Sequence, residues 1–329
     1  MTSIAPAARP RIAAIDVARG VAIVAMVIYH FTWDLGFLGY IALDVTQSAP
    51  WIVFQKMIVG SFIFLTGVSL VLGHGTAIRW PAFWRRFALI LGAALVVTAG
   101  TFAFAPSTFV YFGVLHAIAV FSLLGLAFLR APRLAVLALA IVIIALPLFV
   151  QSPLFGEKLW SWIGLWDTPP PSEDLVPIFP WFGVALAGIV AARWALESGL
   201  AVRLAEWKGT SAPAGLLARM GRWSLVIYVL HQPIMIAILM GLAMLTGTSD
   251  ARRANNFVAS CEASCSQNSD AQFCTAYCSC ALERIATQDL WGLLENERTA
   301  QQETQLLALT NQCATEVLDE SLLDPDATE

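Results

Sequence analysis

The chain has 329 residues, 58% of them hydrophobic and only 13% charged, with a mean hydropathy of +0.71. A soluble domain carries about 25% charged residues, so the composition excludes an ordinary soluble protein. The net charge of -4 says little about partners beyond a lipid bilayer. Acidic residues crowd toward the C-terminus, and all six cysteines lie between Cys261 and Cys313. Three parts follow: a disordered N-terminus over 1–10, a membrane body over 11–246 and a soluble, cysteine-rich tail over 250–329. The expected fold class is all-α, a polytopic membrane bundle of about seven spans with a small disulfide-linked helical domain.

The first apolar segment, Arg11 to Asp34, carries four polar residues: Asp16, Arg19, His30 and Asp34. At about 100° per residue, the eleven steps from Arg19 to His30 close to within about 20° of whole turns. Both side chains therefore leave one helix face, roughly 16 Å apart along the axis. Asp16 precedes Arg19 by one turn and Asp34 follows His30 by one turn, so both join that face. A polar stripe on a membrane helix faces a protein interior or a water-filled cavity. The basic lead and apolar middle imitate a signal peptide, but no A-x-A-like exit follows, so the segment reads as a retained anchor.

Apolar runs of membrane length recur at about 15–36, 51–73, 87–104, 109–129, 134–150, 178–196 and 223–245, the third and fifth being the shortest. Arginine and lysine cluster at alternate connections. Arg9, Arg11 and Arg19 lie at the first span, Arg79, Arg85 and Arg86 between the second and third, and Arg130 and Arg133 between the fourth and fifth. Arg193, Arg203, Lys208, Arg219 and Arg222 lie between the sixth and seventh, and the opposite connections contain only Lys158. The positive-inside rule gives a cytoplasmic N-terminus, and seven spans put the tail outside a bacterial inner membrane.

His30 falls about 20 Å along its span from the inner end and His116 about 10 Å from the outer end of its own, similar depths at which the two could meet. For a membrane histidine the structural reading is an interhelical hydrogen bond, and for His231, which precedes Gln232 and Pro233, that reading leads. For His116 the structural and functional readings stand level. For His30 the catalytic reading gains from Asp34 one turn on, since a carboxylate can orient an imidazole base. His74 sits in a connection and reads as solvated. Asp16 and Arg19 read either as an ion pair near the membrane boundary or, with Arg85 and Arg86, as a clamp for phosphates. The connection 151–177 holds Trp160, Trp162 and Trp166. These mark the membrane interface or form a platform for a sugar face.

The tail has the pattern C-x3-C, eight residues, C-x3-C, then Cys280 and a distant Cys313. Cysteines confined to one segment indicate an oxidising compartment. Helices expected at about 252–265, 271–286 and 299–318 can be cross-linked in nested fashion, Cys261 to Cys278 and Cys265 to Cys274, with Cys280 meeting Cys313. Fifteen connectivities are open to six cysteines. A metal site is the weaker alternative, because the tail has no histidine and C-x3-C is not a zinc knuckle; no metal is expected. The sequence contains no P-loop, no G-x-G-x-x-G opening a helix and no H-E-x-x-H, and nothing points to nucleic acid.

The first helix, together with FIFLTGVSL at 62–70, FGVLHAIA at 112–119, DLVPIFPWFG at 174–183 and GRWSLVIYVLHQP at 221–233, resembles bacterial membrane proteins of the DUF1624 family. These are related to the catalytic domain of heparan-alpha-glucosaminide N-acetyltransferase. The resemblance covers roughly residues 11–240. The spacing of Arg19 and His30 also matches the R-x10-H pattern of the wider superfamily of membrane acyltransferases. The resemblance implies transfer of an acetyl or other acyl group from cytoplasmic acetyl-CoA (acyl-CoA) to an amine or hydroxyl of a carbohydrate or envelope glycan on the outer side. It implies catalysis at His30 and a role for Arg19 toward CoA or in holding the helix; the residues themselves suggest Asp34 as the support of His30 and His116 as an oxyanion donor. CoA would be held by Arg19, Arg85 and Arg86. Asp16, Asp174, Trp181 and His231 lie in matched motifs as accessory positions. The cysteine-rich tail lies outside the match and is similar to helical modules stitched by twin C-x3-C pairs. Two other function classes compete. One is a small-solute or proton-coupled transporter, which would usually show matching halves that this sequence lacks. The other is a non-enzymatic anchor presenting the tail.

Overall fold

The computed structural model of the chain describes residues 12–41, 43–246, 248–295 and 299–323; the segment 1–10, expected to be disordered, lies outside the described residues. Among the described residues the chain is helical, with one isolated parallel bridge between Phe112 and Leu175. The membrane body contains α1 (Ala13–Phe37), α2 (Ala49–His74), α3 (Trp80–Phe104), α4 (Val114–Gly125), α5 (Arg133–Ala145), α6 (Ile178–Glu197), α7 (Leu200–Glu206), α8 (Ala212–Arg222) and α9 (Ser224–Thr246). Helices α1, α2, α3, α6 and α9 are long and apolar enough to cross a membrane. Helices α4 and α5 are apolar but shorter, each running on into a single 3-10 turn.

The lengths correct the sequence reading at two places. The third apolar helix is not short: α3 begins at Trp80, with Pro81 in its first turn, where a missing N–H costs nothing. A hydropathy reading trims Arg85 and Arg86 from that helix, although both belong to it and are exposed. The fourth is shorter than its apolar run because residues 109–113 form an extended approach, not a helical turn. His74, expected in a connection, closes the last turn of α2 and accepts a hydrogen bond from the Arg79 N–H.

Helix α2 is the centre of the body, packed against α4 and α6, and α6 packs in turn against α5. The α2–α6 crossing depends on absent side chains. A Cβ on Gly67 would lie 2.0 Å from the Ala185 carbonyl oxygen, and one on Gly188 would lie 2.2 Å from that of Phe64. In hydrocarbon, helices gain nothing from leaving water, so close backbone approach through small residues supplies the attraction. Ile63, Phe121, Leu186 and Ile189 fill the space beside this crossing. Helix α3 leaves Leu89, Leu95, Val96 and Phe102 exposed, and α9 does the same with Val226, Leu230 and Ile234. An apolar face is no liability where lipid is the solvent.

The described residues divide into two compact units, one running to Asp34 and from Leu43 to Ala237, the other comprising Leu35–Ala42 and the chain from Ile238 onward. The second unit contains α10 (Thr248–Cys265), α11 (Ala271–Thr287), α12 (Gly292–Glu295) and α13 (Ala300–Leu323). Asp270 caps α11 by accepting the Phe273 N–H at 2.9 Å. Cys261 is bonded to Cys278, Cys265 to Cys274 and Cys280 to Cys313, which is the nested pairing that the spacing suggests. The buried residues here are few: Cys274, Cys278, Ala281, Ile285, Leu309, Cys313 and Val317. So small a core does not hold a module by burial alone, and cross-links make up the deficit.

Replacing Gly188 with Val should destabilise the body by about 1–3 kcal/mol or more, the range for overpacking. It is read as a lower melting temperature and a loss of monodisperse protein on size exclusion. The double substitution Cys280→Ser and Cys313→Ser opens a bond closing 33 residues and should cost the tail roughly 3–4 kcal/mol by loop entropy, measured by urea unfolding followed by circular dichroism.

Candidate active site

The polar face of α1 meets protein at both ends. At one end Arg19 forms an ion pair with Asp16 at 3.4 Å and donates to Ser69 Oγ on α2 at 2.5 Å. Ser69 passes its own proton to the Leu65 carbonyl. The Arg86 guanidinium on α3 lies within electrostatic reach of Arg19, so this end gathers two cations against one carboxylate. Arg85 is exposed on the same helix. Asp16 is buried because α8 crosses close to α1: a Cβ on Gly221 would lie 1.8 Å from the Asp16 carbonyl oxygen.

Farther along α1, His30 faces His231 on α9, the ring centroids 4.9 Å apart and the rings nearly edge to face. The geometry does not bring His30 to His116. Nor does Asp34 orient His30: Asp34 is 0% exposed, and its Oδ1 accepts from Gln232 Nε2 at 2.6 Å. The reason is the direction of the side chain. One turn beyond His30, Asp34 projects toward the residue after His231, and the two helices are joined by that carboxylate–amide contact. Three buried atoms in this region have no hydrogen-bond partner: Asp34 Oδ2, Gln232 Oε1 and His231 Nε2. The aromatic wall beside them is Tyr29, 5.6 Å from His30 and 6.1 Å from Trp51, with Phe54 beyond.

His116 occupies a different place. Its Nδ1 accepts the Gly113 N–H at 3.2 Å, so the proton is on Nε2, which lies 3.3 Å from Thr98 Oγ1. Thr98 donates its own proton to the Val110 carbonyl at 2.7 Å and can therefore accept from the imidazole. Both ring nitrogens are committed, and the ring stacks on Phe112. His116 thus closes the start of α4. Asp174 completes the same start: its Oδ2 accepts the Val114 N–H at 2.8 Å and the Tyr228 hydroxyl at 3.4 Å. Only glycine allows this, since a Cβ on residue 113 would lie 2.4 Å from Asp174 Oδ2. Burial pushes the Asp174 carboxyl up to about 6, while the two hydrogen bonds oppose that shift.

Trp181 packs within the core, its ring 3.6 Å from where a Cβ of Gly60 would be. Of the connection 151–177, Trp162 lies against Phe112 and donates to the Leu159 carbonyl, while Trp160 is exposed. Ser161, fully buried, is bonded to the Tyr111 hydroxyl at 2.7 Å. Gln232, Tyr228, Ser69 and Thr98 are the polar partners that sequence reasoning did not single out. Only Gln232 had a signal, as a polar residue within an apolar run. The one group among the described residues with metal-like spacing is Cys280, Cys313 and Glu316, and its two sulfurs are joined to each other.

The family model described as heparan-alpha-glucosaminide N-acetyltransferase, catalytic, matches residues 11–233. No curated protein and no solved structure matches the chain. The match spans Asp16, Arg19, His30, Asp34, Arg85, Arg86, His116, Asp174, Tyr228 and His231 and ends at Pro233, one residue beyond the Gln232 that holds Asp34.

Asp174 supplies a pH test. Its folded-state carboxyl holds a proton more tightly than the unfolded chain does, so the stability this gives is present below about pH 4 and lost as pH rises through about 6. Asp174→Asn should flatten the dependence of stability on pH over that window, by up to roughly 3 kcal/mol. Thermal unfolding of both proteins from pH 4 to 7 measures it, and equal pH slopes would contradict the assignment.

Proposed function

The chain belongs to the heparan-alpha-glucosaminide N-acetyltransferase catalytic family, and on that premise we propose that it is a membrane acyltransferase. It moves an acetyl group from acetyl-CoA to an amine or hydroxyl of a carbohydrate. The observation that carries this reading is the polar face of α1, with an arginine pair at one end and an imidazole pair roughly 16 Å away at the other. Arg19 and Arg86, with Arg85 exposed nearby, suit the phosphates of CoA, because guanidinium binds phosphate in bidentate fashion. An extended pantetheine arm covers the distance to His30. The reacting centre is then the His30–His231 pair, one ring of which accepts the proton of the acceptor as the thioester is attacked. Asp34 and Gln232 hold α1 and α9 at the spacing that keeps the two rings together. His116 and Asp174 build the start of α4 and are assigned positioning roles.

The arginine distribution supports a cytoplasmic N-terminus, so CoA enters from the cytoplasm. Seven passes, the short α4 and α5 included, put the tail on the opposite side. The three disulfides support that placement, since such bonds persist in oxidising compartments. The acceptor is then an envelope glycan on the outer face of a bacterial inner membrane. The tail from about residue 250 is read as a separate periplasmic module.

Purified protein given labelled acetyl-CoA and glucosamine should release CoA and label the sugar. His30→Ala should lower the turnover about 10²-fold, as loss of a group that positions the reacting atoms does, with little change in KM for acetyl-CoA. Arg19→Ala should instead raise that KM by about tenfold or more, as loss of a charged hydrogen bond does. Unchanged turnover in His30→Ala would remove His30 from the reaction.

A further inference from the structure

The two histidines of the pair are not equivalent, and the difference lies in what fixes each ring. His231 Nδ1 lies 2.8 Å from the Tyr228 carbonyl oxygen and 3.2 Å from that of Ile227. Carbonyl oxygens only accept, so Nδ1 carries the proton. Nε2 is then left as a lone pair, buried and without a partner, on the ring that faces His30. An unpartnered buried acceptor costs about 1–3 kcal/mol, and an imidazole with one tautomer locked by a carbonyl is the arrangement in which the other nitrogen can take a proton. No hydrogen bond among the described residues fixes the His30 ring. Its contacts are the edges and faces of Tyr29 and His231.

Resting on the acyl-transfer reading above, we infer that His231 Nε2 is the proton acceptor of the reaction and that His30 is the mobile ring that lines the acceptor's approach. The nucleophilic nitrogen or oxygen of the acceptor attacks the thioester carbonyl carbon, and the new C–N or C–O bond forms as the C–S bond breaks. The acceptor's proton passes to His231 Nε2, giving an imidazolium whose Nδ1–H is still held by the Tyr228 carbonyl. That proton then moves to the departing CoA thiolate, so CoA leaves as the thiol and His231 returns to its starting form. Nothing else is consumed. The rings against His231 are His30 from α1 and Tyr228 from α9, with the Asp34–Gln232 contact one residue on. Tyr228 has a second duty, because its hydroxyl is bonded to Asp174. The loop before α6 therefore holds the same residue whose carbonyl sets the His231 tautomer.

The test has two arms on the full-length protein in detergent. The chain has only four histidines, so 15N-histidine labelling with His231→Asn as the assignment control gives resolved ring nitrogens. A protonated Nδ1 and an unprotonated Nε2 at residue 231 are expected, and the opposite tautomer would overturn the proposal. Asn keeps an N–H near the position of Nδ1 but offers no base. With acetyl-CoA and glucosamine, His231→Asn should lower kcat about 10²–10⁴-fold, with KM for acetyl-CoA within a few-fold of wild type and the rise of kcat with pH abolished. A variant within threefold of wild-type kcat would overturn the proposal while leaving acyl transfer intact. A wild-type protein that neither binds acetyl-CoA nor releases CoA would overturn both.

Discussion

Hydrocarbon offers no hydrogen bonds, and that constraint organises the membrane body. A buried polar group there must find a protein partner or remain unsatisfied at a cost of several kcal/mol. The contact of Gln232 with the fully buried Asp34 shows the consequence. Neither residue could be tolerated alone on a lipid-length helix. Each becomes tolerable only when α1 and α9 stand side by side, so the pair fixes which faces of the two helices meet. His30 and His231 then come together because each lies within one helical turn of that contact.

The other end of α1 obeys the same rule with different partners. Arg19 is satisfied by Asp16 and by Ser69 of α2, and Ser69 is itself a residue of the packed α2 core. The geometry depends on glycine as much as on polar groups. Gly67 and Gly188 let α2 and α6 approach closely, and Gly221 does the same for α8 against α1, while the long Arg19 side chain spans the gap from α1 to Ser69. Polar contacts select the helix faces, and small residues set the distance.

What was legible in the sequence follows from this division. The stripe on α1 could be read because helical geometry alone puts Asp16, Arg19, His30 and Asp34 on one face. The tail could be read because two C-x3-C pairs leave few low-strain ways to join adjacent helices. The partners across helices were not legible. Periodicity says which residues share a face but not which other helix faces them, so His30 was matched in depth with His116 when its neighbour is His231. His116 misled for a second reason. A histidine at the third position of a helix can return to the N–H of the residue before it, as it does to Gly113, and this use leaves no mark in hydropathy. The length of α3 was hidden by its own arginines, which a hydropathy window treats as an ending although they are carried in the helix's first turns.

The same distinction separates the three membrane histidines by chemistry. His116 has both nitrogens engaged and stacks on Phe112, so it cannot change protonation without breaking a helix start. His231 has one nitrogen engaged by a carbonyl and the other without a partner, a state that holds a lone pair ready at the cost of leaving it unsatisfied. His30 has ring contacts alone. A fold that only needed structural histidines would have no reason to keep a buried imidazole nitrogen and a buried carboxylate oxygen both unpaired. That a region otherwise so well satisfied retains three such atoms, on two helices joined by the Gln232–Asp34 hydrogen bond, is the physical mark of a site shaped for something that arrives from outside the chain.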